Sequence, residues 1–279
     1  MRRSTILAKV RDYVLLVALS ALILAPIYYL IVGSFKPSSD VIDGFAGFLP
    51  TNLSLDNYAN VFKALSSDST GYFAQFFLNS VLISGVIVLV GLVINSMAGF
   101  AFARLEWAGR DKVFLIVVIL VIVPFESAAI PLLFMLQGGR DTLIVQMLPF
   151  LANAFSIYLF YTFFLNSSPS VEEAARLDGL GAFGTFVRVV APNAKPVFAT
   201  VAILTFLSSW GQYLWPSLTT SDPSVRPLPL EIGAFSGQQP VDWGAVFAFG
   251  TLLVLPILVL FLAFQRFFVQ SVASSAVKE

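Results

Sequence analysis

No cysteine and no histidine occurs among the 279 residues. Thiolate chemistry, zinc sites of the Cys/His kind and imidazole proton relays are therefore closed to this chain, and we find neither a catalytic triad nor a metal cluster. What the sequence offers instead is a handful of hydrogen-bonding groups stranded in apolar surroundings. Glu126 is the one acidic residue in the apolar stretch 113–137, where it stands between Pro124 and Pro131. About 14 residues of helix, or about 21 Å of rise, separate it from Lys112. At that depth in a bilayer a carboxyl group needs a cavity or a partner: it either hydrogen-bonds the hydroxyls of a solute or serves as a structural partner where the prolines break the helix. Asn79, Asn153 and Gln212 pose the same choice between binding hydroxyls and tying helices together, the latter contributing roughly 0.6–2 kcal/mol. Trp210, Tyr213 and Trp215 suit an aromatic belt at a membrane surface, with stacking on a sugar ring as the alternative use.

These groups must be carried by elements that live in lipid. The chain is 58% hydrophobic and 11% charged, against roughly 45–50% and 25% in soluble domains. A helix needs about 20 apolar residues to cross about 30 Å of hydrocarbon; five charge-free runs and one further apolar region supply six such segments, predicted at 11–34, 74–103, 112–137, 142–167, 194–216 and 243–268. The third is interrupted by Glu126. The expected fold is an all-α integral membrane protein whose single transmembrane domain fills residues 1–279. With the N-terminus inside, the inside segments hold twelve of the sixteen basic residues and the outside segments hold only Lys36, Lys63, Arg140 and Arg226. By the excess of Lys and Arg in cytoplasmic loops, both termini are expected in the cytoplasm. The basic start and long apolar run at the N-terminus are read as a retained first helix rather than a cleaved signal.

The connection at 169–191 has a pattern of its own. Ser170 with Glu173 three residues on has the capping-box spacing that opens a helix, and Asp178-Gly179 supplies a stop. A second short helix is expected to carry Phe183, Phe186, Val187 and Val190 on one face. Such a helix–glycine–helix could lie on lipid headgroups, with Arg176 and Arg188 beside an apolar face. Glu172, Glu173 and Asp178 nearly neutralise it, so docking to a protein fits better. Two segments fall outside: 36–69, read as a small cap, and 217–242, whose Phe235, Gly237, Gln238 and Gln239 form either a reaching tip or an ordinary turn.

Glu173-Ala174-Ala175, three residues, Gly179, nine residues and Val189-Val190-Ala191-Pro192 resemble the EAA loop of permease subunits in binding-protein-dependent ABC importers. The similarity runs over nearly the whole chain, through NSVLIS at 79–84, AGFAFARLEWAGRDKVF at 98–114 and LPFLANAFSIYLFYTFF at 148–164, and is closest to the carbohydrate subfamily of maltose and glycerol-phosphate type. Ala191, Gly211 and Ser275 depart from the family's leucine, asparagine and glycine, and Gly211 weakens any transfer of solute-contact roles to its neighbourhood. The resemblance implies that Glu172, Glu173, Ala174, Ala175, Arg176, Asp178, Gly179 and Pro192 dock on a separate ATPase. Glu126, Asn79, Asn153, Gln212 and Tyr213 would be candidates for the solute pathway, and Phe235, Gly237, Gln238 and Gln239 for contact with a binding protein. It implies a bacterial plasma-membrane assembly with a second homologous permease, two ATPase subunits and an extracellular solute-binding lipoprotein, embedded in lipid and without nucleic acid. ATP and Mg would be bound by the ATPases. This chain holds no cofactor and no G-x-x-x-x-G-K-[ST] loop, so it is expected not to be an enzyme. A stand-alone ion-coupled transporter or channel is the alternative. It would call for more intramembrane acids or a histidine, and it would leave the 169–191 loop without a purpose.

Overall fold

The computed structural model describes residues 6–68, 71–237 and 239–276. Three continuous helices are long and apolar enough to cross a membrane: span 1 within Ile6–Gly33, span 2 at Phe73–Arg104 and span 6 within Trp243–Ala276. Three bent pairs of helices bring the number to as many as six. The protein is thus the helical membrane fold expected, with one short antiparallel pair, Ser66–Ser67 with Gly71–Tyr72, as an addition.

The bends have local causes. Span 3 is two helices, Arg110–Ile122 and Phe125–Met135, set at 106°. Pro124 offers no N–H and drives the residue before it out of helical backbone, and Val123 is accordingly extended at φ −75°, ψ 116°. Pro131 sits inside the second helix without ending it. Span 4 follows a short helical stretch, 143–150, with a 41° break before Ala154–Asn166. Span 5, Lys195–Trp210, meets the preceding stretch 182–193 at 81°.

The chain forms two compact units. The first comprises residues up to Tyr72 together with Glu231–Pro256. Here the segment after span 1 is tied down by polar groups: Lys36 is 1% exposed and donates to the carbonyls of Ala46 and Leu49 at 2.7 and 3.0 Å. Asn57 donates to the carbonyls of Ser34 and Lys36. Tyr29 stacks on Phe48 and donates its hydroxyl hydrogen to the Val41 carbonyl.

The second unit, Phe73–Leu230 with the chain from Ile257 onward, carries spans 2 to 5. Gly91, Asn95 and Gly99 recur every four residues along span 2, the spacing of one helix face. At Gly99 the backbones come so close that a Cβ would sit 2.5 Å from Phe160 Cβ and 2.9 Å from the Tyr161 nitrogen, the small-residue packing by which membrane helices approach one another. Below that crossing, Phe100, Phe160, Phe164, Phe186, Val190, Ala194, Val197 and Val201 form a buried cluster. The apolar faces turned away from it, such as Leu82, Leu89 and Val93 on span 2, are exposed, as lipid-facing helix surface must be.

Candidate functional site

Two places in the second unit gather polar groups. The first is the 169–191 loop. Its opening helix runs Ser170–Leu177. Ser170 lies inside that helix with its hydroxyl on that of Ser168 at 2.8 Å, so the capping-box reading does not hold. The Pro169 carbonyl instead receives the N–H groups of Glu172 and Glu173. Gly179 ends the helix at φ +81°, and the Leu180 N–H bonds back to the Ala175 carbonyl at 3.0 Å. This is the six-to-one closure of a helix stop that only glycine adopts without strain.

The two glutamates point apart. Glu172 is 5% exposed, and its Oε1 accepts from Arg104 Nε at 2.8 Å. Arg104 Nη2 also donates to the Ser167 carbonyl at 2.7 Å and to its hydroxyl at 2.9 Å. Glu173, Ala174, Asp178 and Gly179 are exposed, and Leu177 is 89% exposed. Ala175 is buried, Pro192 is exposed, and for Arg176 only the backbone is described. The following helical stretch is two-sided: Phe186 and Val190 enter the aromatic cluster, while Phe183 and Val187 stay exposed. The expectation of one shared apolar face is corrected, because Phe183 and Val187 lie on the side of the helix away from the core that Phe186 and Val190 enter.

The second place is a cavity of about 270 Å³ lined by Asn153, Ser156, Thr205, Ser208, Ser209 and Gln212 together with Ile87, Phe150, Phe155 and Leu204. Asn153 and Gln212, far apart in sequence, meet here. Asn153 caps span 4 by accepting the Ser156 N–H at 2.9 Å. Its own N–H is held by Asn95 Oδ1 at 2.9 Å, and Asn95 Nδ2 reaches the Leu151 carbonyl at 3.3 Å. Asn95 therefore satisfies backbone groups released by the break in span 4, which water cannot do in hydrocarbon. The Gln212 side chain is half-buried and has no hydrogen-bond partner among the described residues. A small neighbouring hollow continues from Ser209 and Gln212 to Ser80, Ser84 and Gln146. Ser84 Oγ and Gln146 Oε1 are buried there without a hydrogen-bond partner.

The remaining candidates lie elsewhere. Asn79 donates to the carbonyls of Ser224 and Arg226. With Gln75, Gln146 and Ser80 it straps the segment Asp222–Leu228 against span 2 and the helical stretch that precedes span 4. Glu126 is exposed in the first turn of Phe125–Met135, where the positive end of the helix dipole favours a carboxylate. It is not among the cavity residues, and neither is Tyr213, which is 49% exposed. Phe235 is not a reaching tip: it is 4% exposed and packs on Phe249 with ring centroids 5.1 Å apart. Gly237 and Gln239 are exposed, and Gln238 lies outside the described residues. No group of three or more metal-ligating side chains occurs among the described residues.

The strap has a titratable pin. Asp141 accepts the N–H groups of Ser221 and Asp222, and those two bonds hold its carboxyl below the ordinary aspartate value of 3.8. A depressed carboxylate stabilises the fold above its unfolded pKa, and the effect fades as pH falls through the folded one. With the intrinsic pH dependence of amide exchange divided out, protection of the Ser221 and Asp222 amides is therefore expected to be full at neutral pH and to fall only below that ordinary value of 3.8, while Asp141→Ala lowers it already at neutral pH.

Arg104, Ser167 and Asn95 were not singled out from sequence. In the charge sum Arg104 is only one inside charge; the signal that could find it is the pair of adjacent glutamates on a short helix, since a carboxylate turned inward calls for an internal base.

A family model described as "Binding-protein-dependent transport system inner membrane component" matches residues 91–274. The chain is 30% identical over 264 residues to the arabinooligosaccharides transport system permease protein AraQ of Bacillus subtilis, covering 93% of this chain and 92% of that one. It is 30% identical to the trehalose transport system permease SugB of Mycobacterium tuberculosis (91% and 92% covered) and 29% identical to the lactose transport system permease LacG of Rhizobium radiobacter (90% and 89% covered). Among solved structures, a bacterial ABC transporter involved in the import of the acidic polysaccharide alginate superposes with a TM-score of 0.80 at 22% identity, over 96% of this chain and 100% of that chain.

Proposed function

This chain belongs to the family of binding-protein-dependent transport system inner membrane components, and on that premise we propose that it forms half of the translocation pathway of an ATP-driven importer for an oligosaccharide. The observation that carries the reading is the outward face of the Ser170–Leu177 helix. Leu177 stands exposed beside Glu173, Ala174 and Asp178, on a helix held from behind by Arg104 and stopped by a left-handed glycine. An apolar side chain presented at the tip of a rigid polar loop is a protein-docking feature. Its burial contributes roughly 1.5–3 kcal/mol. The occupant is an ATPase subunit, the loop faces the cytoplasm, and both termini lie on that side.

The carbohydrate class rests on the named substrates of the relatives and on the cavity. Six side chains with hydroxyl or amide groups and two phenylalanines line it, a combination suited to sugar hydroxyls and to the apolar faces of a sugar ring. At about 270 Å³ it falls just short of the roughly 300–1,000 Å³ of small-molecule sites, as expected if a second, homologous permease supplies the other wall. The partners are then that permease, two ATPases that bind ATP and Mg, and an extracellular binding protein that delivers the solute. ATP binding can drive transport only through contacts that differ between two global states.

The test is Leu177→Asp in cells carrying the whole transporter. The ATPase is expected to be lost from the affinity-purified complex, and uptake of labelled arabino-oligosaccharide, lactose or trehalose to fall to background. Normal assembly together with normal uptake would overturn the reading in favour of a stand-alone transporter.

A further inference from the structure

Within that importer reading, we propose that Arg104 and Glu172 are an internal strut that carries movement of the ATPase-docking helix into span 2 and so to the far side of the membrane. The adjacent glutamates thereby divide the work: Glu173 faces the ATPase and Glu172 acts inside the chain.

The guanidinium is a three-way joint. Arg104 is the last residue of span 2. Its Nε engages the carboxylate of the docking helix at 2.8 Å, and its Nη2 engages the carbonyl and hydroxyl of Ser167, the residue that ends span 4, at 2.7 and 2.9 Å. The two charged side chains are 13% and 7% exposed, so water scarcely competes for them. The planar fork of arginine can hold a carboxylate and a carbonyl at once in fixed directions, which the point charge of lysine cannot. Beside the joint, Phe186 from the same loop packs on Phe100 and Phe164 at ring-centroid distances of 5.2 and 6.4 Å. The loop is therefore bonded to the ends of spans 2 and 4 by charge and by packing.

Span 2 makes the joint consequential. It runs unbroken from Phe73 to Arg104, whereas spans 3, 4 and 5 are interrupted. Asn79, 25 residues before Arg104 and so about 37 Å away along the axis, is bonded to the carbonyls of Ser224 and Arg226 in the strap. Between the two ends, Ile87 lines the cavity and Asn95 holds the break in span 4. One rigid helix thus connects the docking loop, the cavity and the strap, with the ion pair as its cytoplasmic handle.

The test uses the complete transporter in proteoliposomes with its binding protein, and reads three quantities: ATPase retained in the complex, ATP hydrolysed, and solute moved per ATP. Glu173→Ala is expected to weaken retention of the ATPase. Glu172→Ala is expected to retain it and to hydrolyse ATP, while solute moved per ATP falls about fivefold or more, the lower end of typical coupling between sites. Arg104→Lys and the isosteric Glu172→Gln are expected to fall between wild type and Glu172→Ala. A wild-type ratio in Glu172→Ala overturns the strut, as does loss of the ATPase equal to that in Glu173→Ala. If Glu172→Ala does not accumulate, a wild-type ratio in both Glu172→Gln and Arg104→Lys overturns it. Failure of the importer reading shows separately, as intact assembly and uptake in Leu177→Asp.

Discussion

Leucine in place of Gly99 is expected to leave almost no folded protein in the membrane, and alanine there to give a protein that accumulates but melts early. Even a single Cβ would stand 2.5 Å from Phe160 Cβ, 2.9 Å from the Tyr161 nitrogen and 3.1 Å from the Ile157 oxygen. These are backbone atoms and a first side-chain carbon, so no rotamer change can make room, and spans 2 and 4 must separate. Separation opens the cluster beneath, where Phe160 and Phe164 are wholly buried. Extra methylene groups in a packed core typically cost about 1–3 kcal/mol, which sets the expectation for alanine. The three further carbons of leucine should pass about 4 kcal/mol, the range reserved for the most damaging single substitutions. That is a large share of the stability of a protein held by about 5–15 kcal/mol. Gly85 supplies the control on the same helix. A Cβ there meets nothing within 4 Å, so Gly85→Ala should be neutral or gain up to about 1 kcal/mol of helix propensity. Thermal unfolding of the detergent-solubilised complex, read by size-exclusion chromatography, distinguishes the two positions. A Gly99→Leu protein with wild-type yield and melting would mean that the spans do not cross there.

The helical membrane class, with up to six segments, is legible because the bilayer imposes a length that a one-dimensional reading can count. The Gly179 stop was equally legible, since few residues but glycine end a helix at positive φ. What escaped depends on partners distant in the chain. Asn95 was invisible as a functional residue because its value lies in backbone groups 56 and 58 positions away. Arg104 was read as one inside charge among twelve, because loop charge sums ignore which cations are sequestered in ion pairs. Glu126 drew attention for being acidic in an apolar run, yet it sits exposed at a helix start, away from the cavity that Asn153 and Gln212 share. The break at Pro124 explains this: the chain turns by 106°, so counting rise from Lys112 along one straight helix put Glu126 on an axis that the protein abandons two residues earlier. Phe235 failed for the opposite reason, as an aromatic residue in a polar loop that the fold uses for packing.

Asn95→Leu is expected to be nearly as damaging as the change at Gly99, but through hydrogen bonds and with a different signature. Asn95 is 1% exposed, so leucine there removes a donor from the Leu151 carbonyl and an acceptor from the Asn153 N–H while still filling the space. Each buried backbone group left unsatisfied costs roughly 1–3 kcal/mol, giving about 2–6 kcal/mol together. The loss also acts on function, because Asn153 both caps span 4 and lines the cavity. Without its fixed N–H, the first turn of span 4 is free to rewind towards the stretch at 143–150, closing the 41° break beside which Phe150 and Asn153 line the cavity. On the proposed importer reading, transporter assembled with the variant should therefore hydrolyse ATP through its ATPase subunits yet fail to take up solute, and the Asn153 amide should exchange far faster than in the wild type. Asn95→Asp separates the two contributions. It keeps an acceptor for the Asn153 N–H but sets a carboxylate oxygen against the Leu151 carbonyl, so slow exchange at Asn153 should persist while stability falls. Equal stability in the leucine variant would mean that water reaches Leu151 and Asn153 from the cavity side, and that Asn95 contributes little to holding the break.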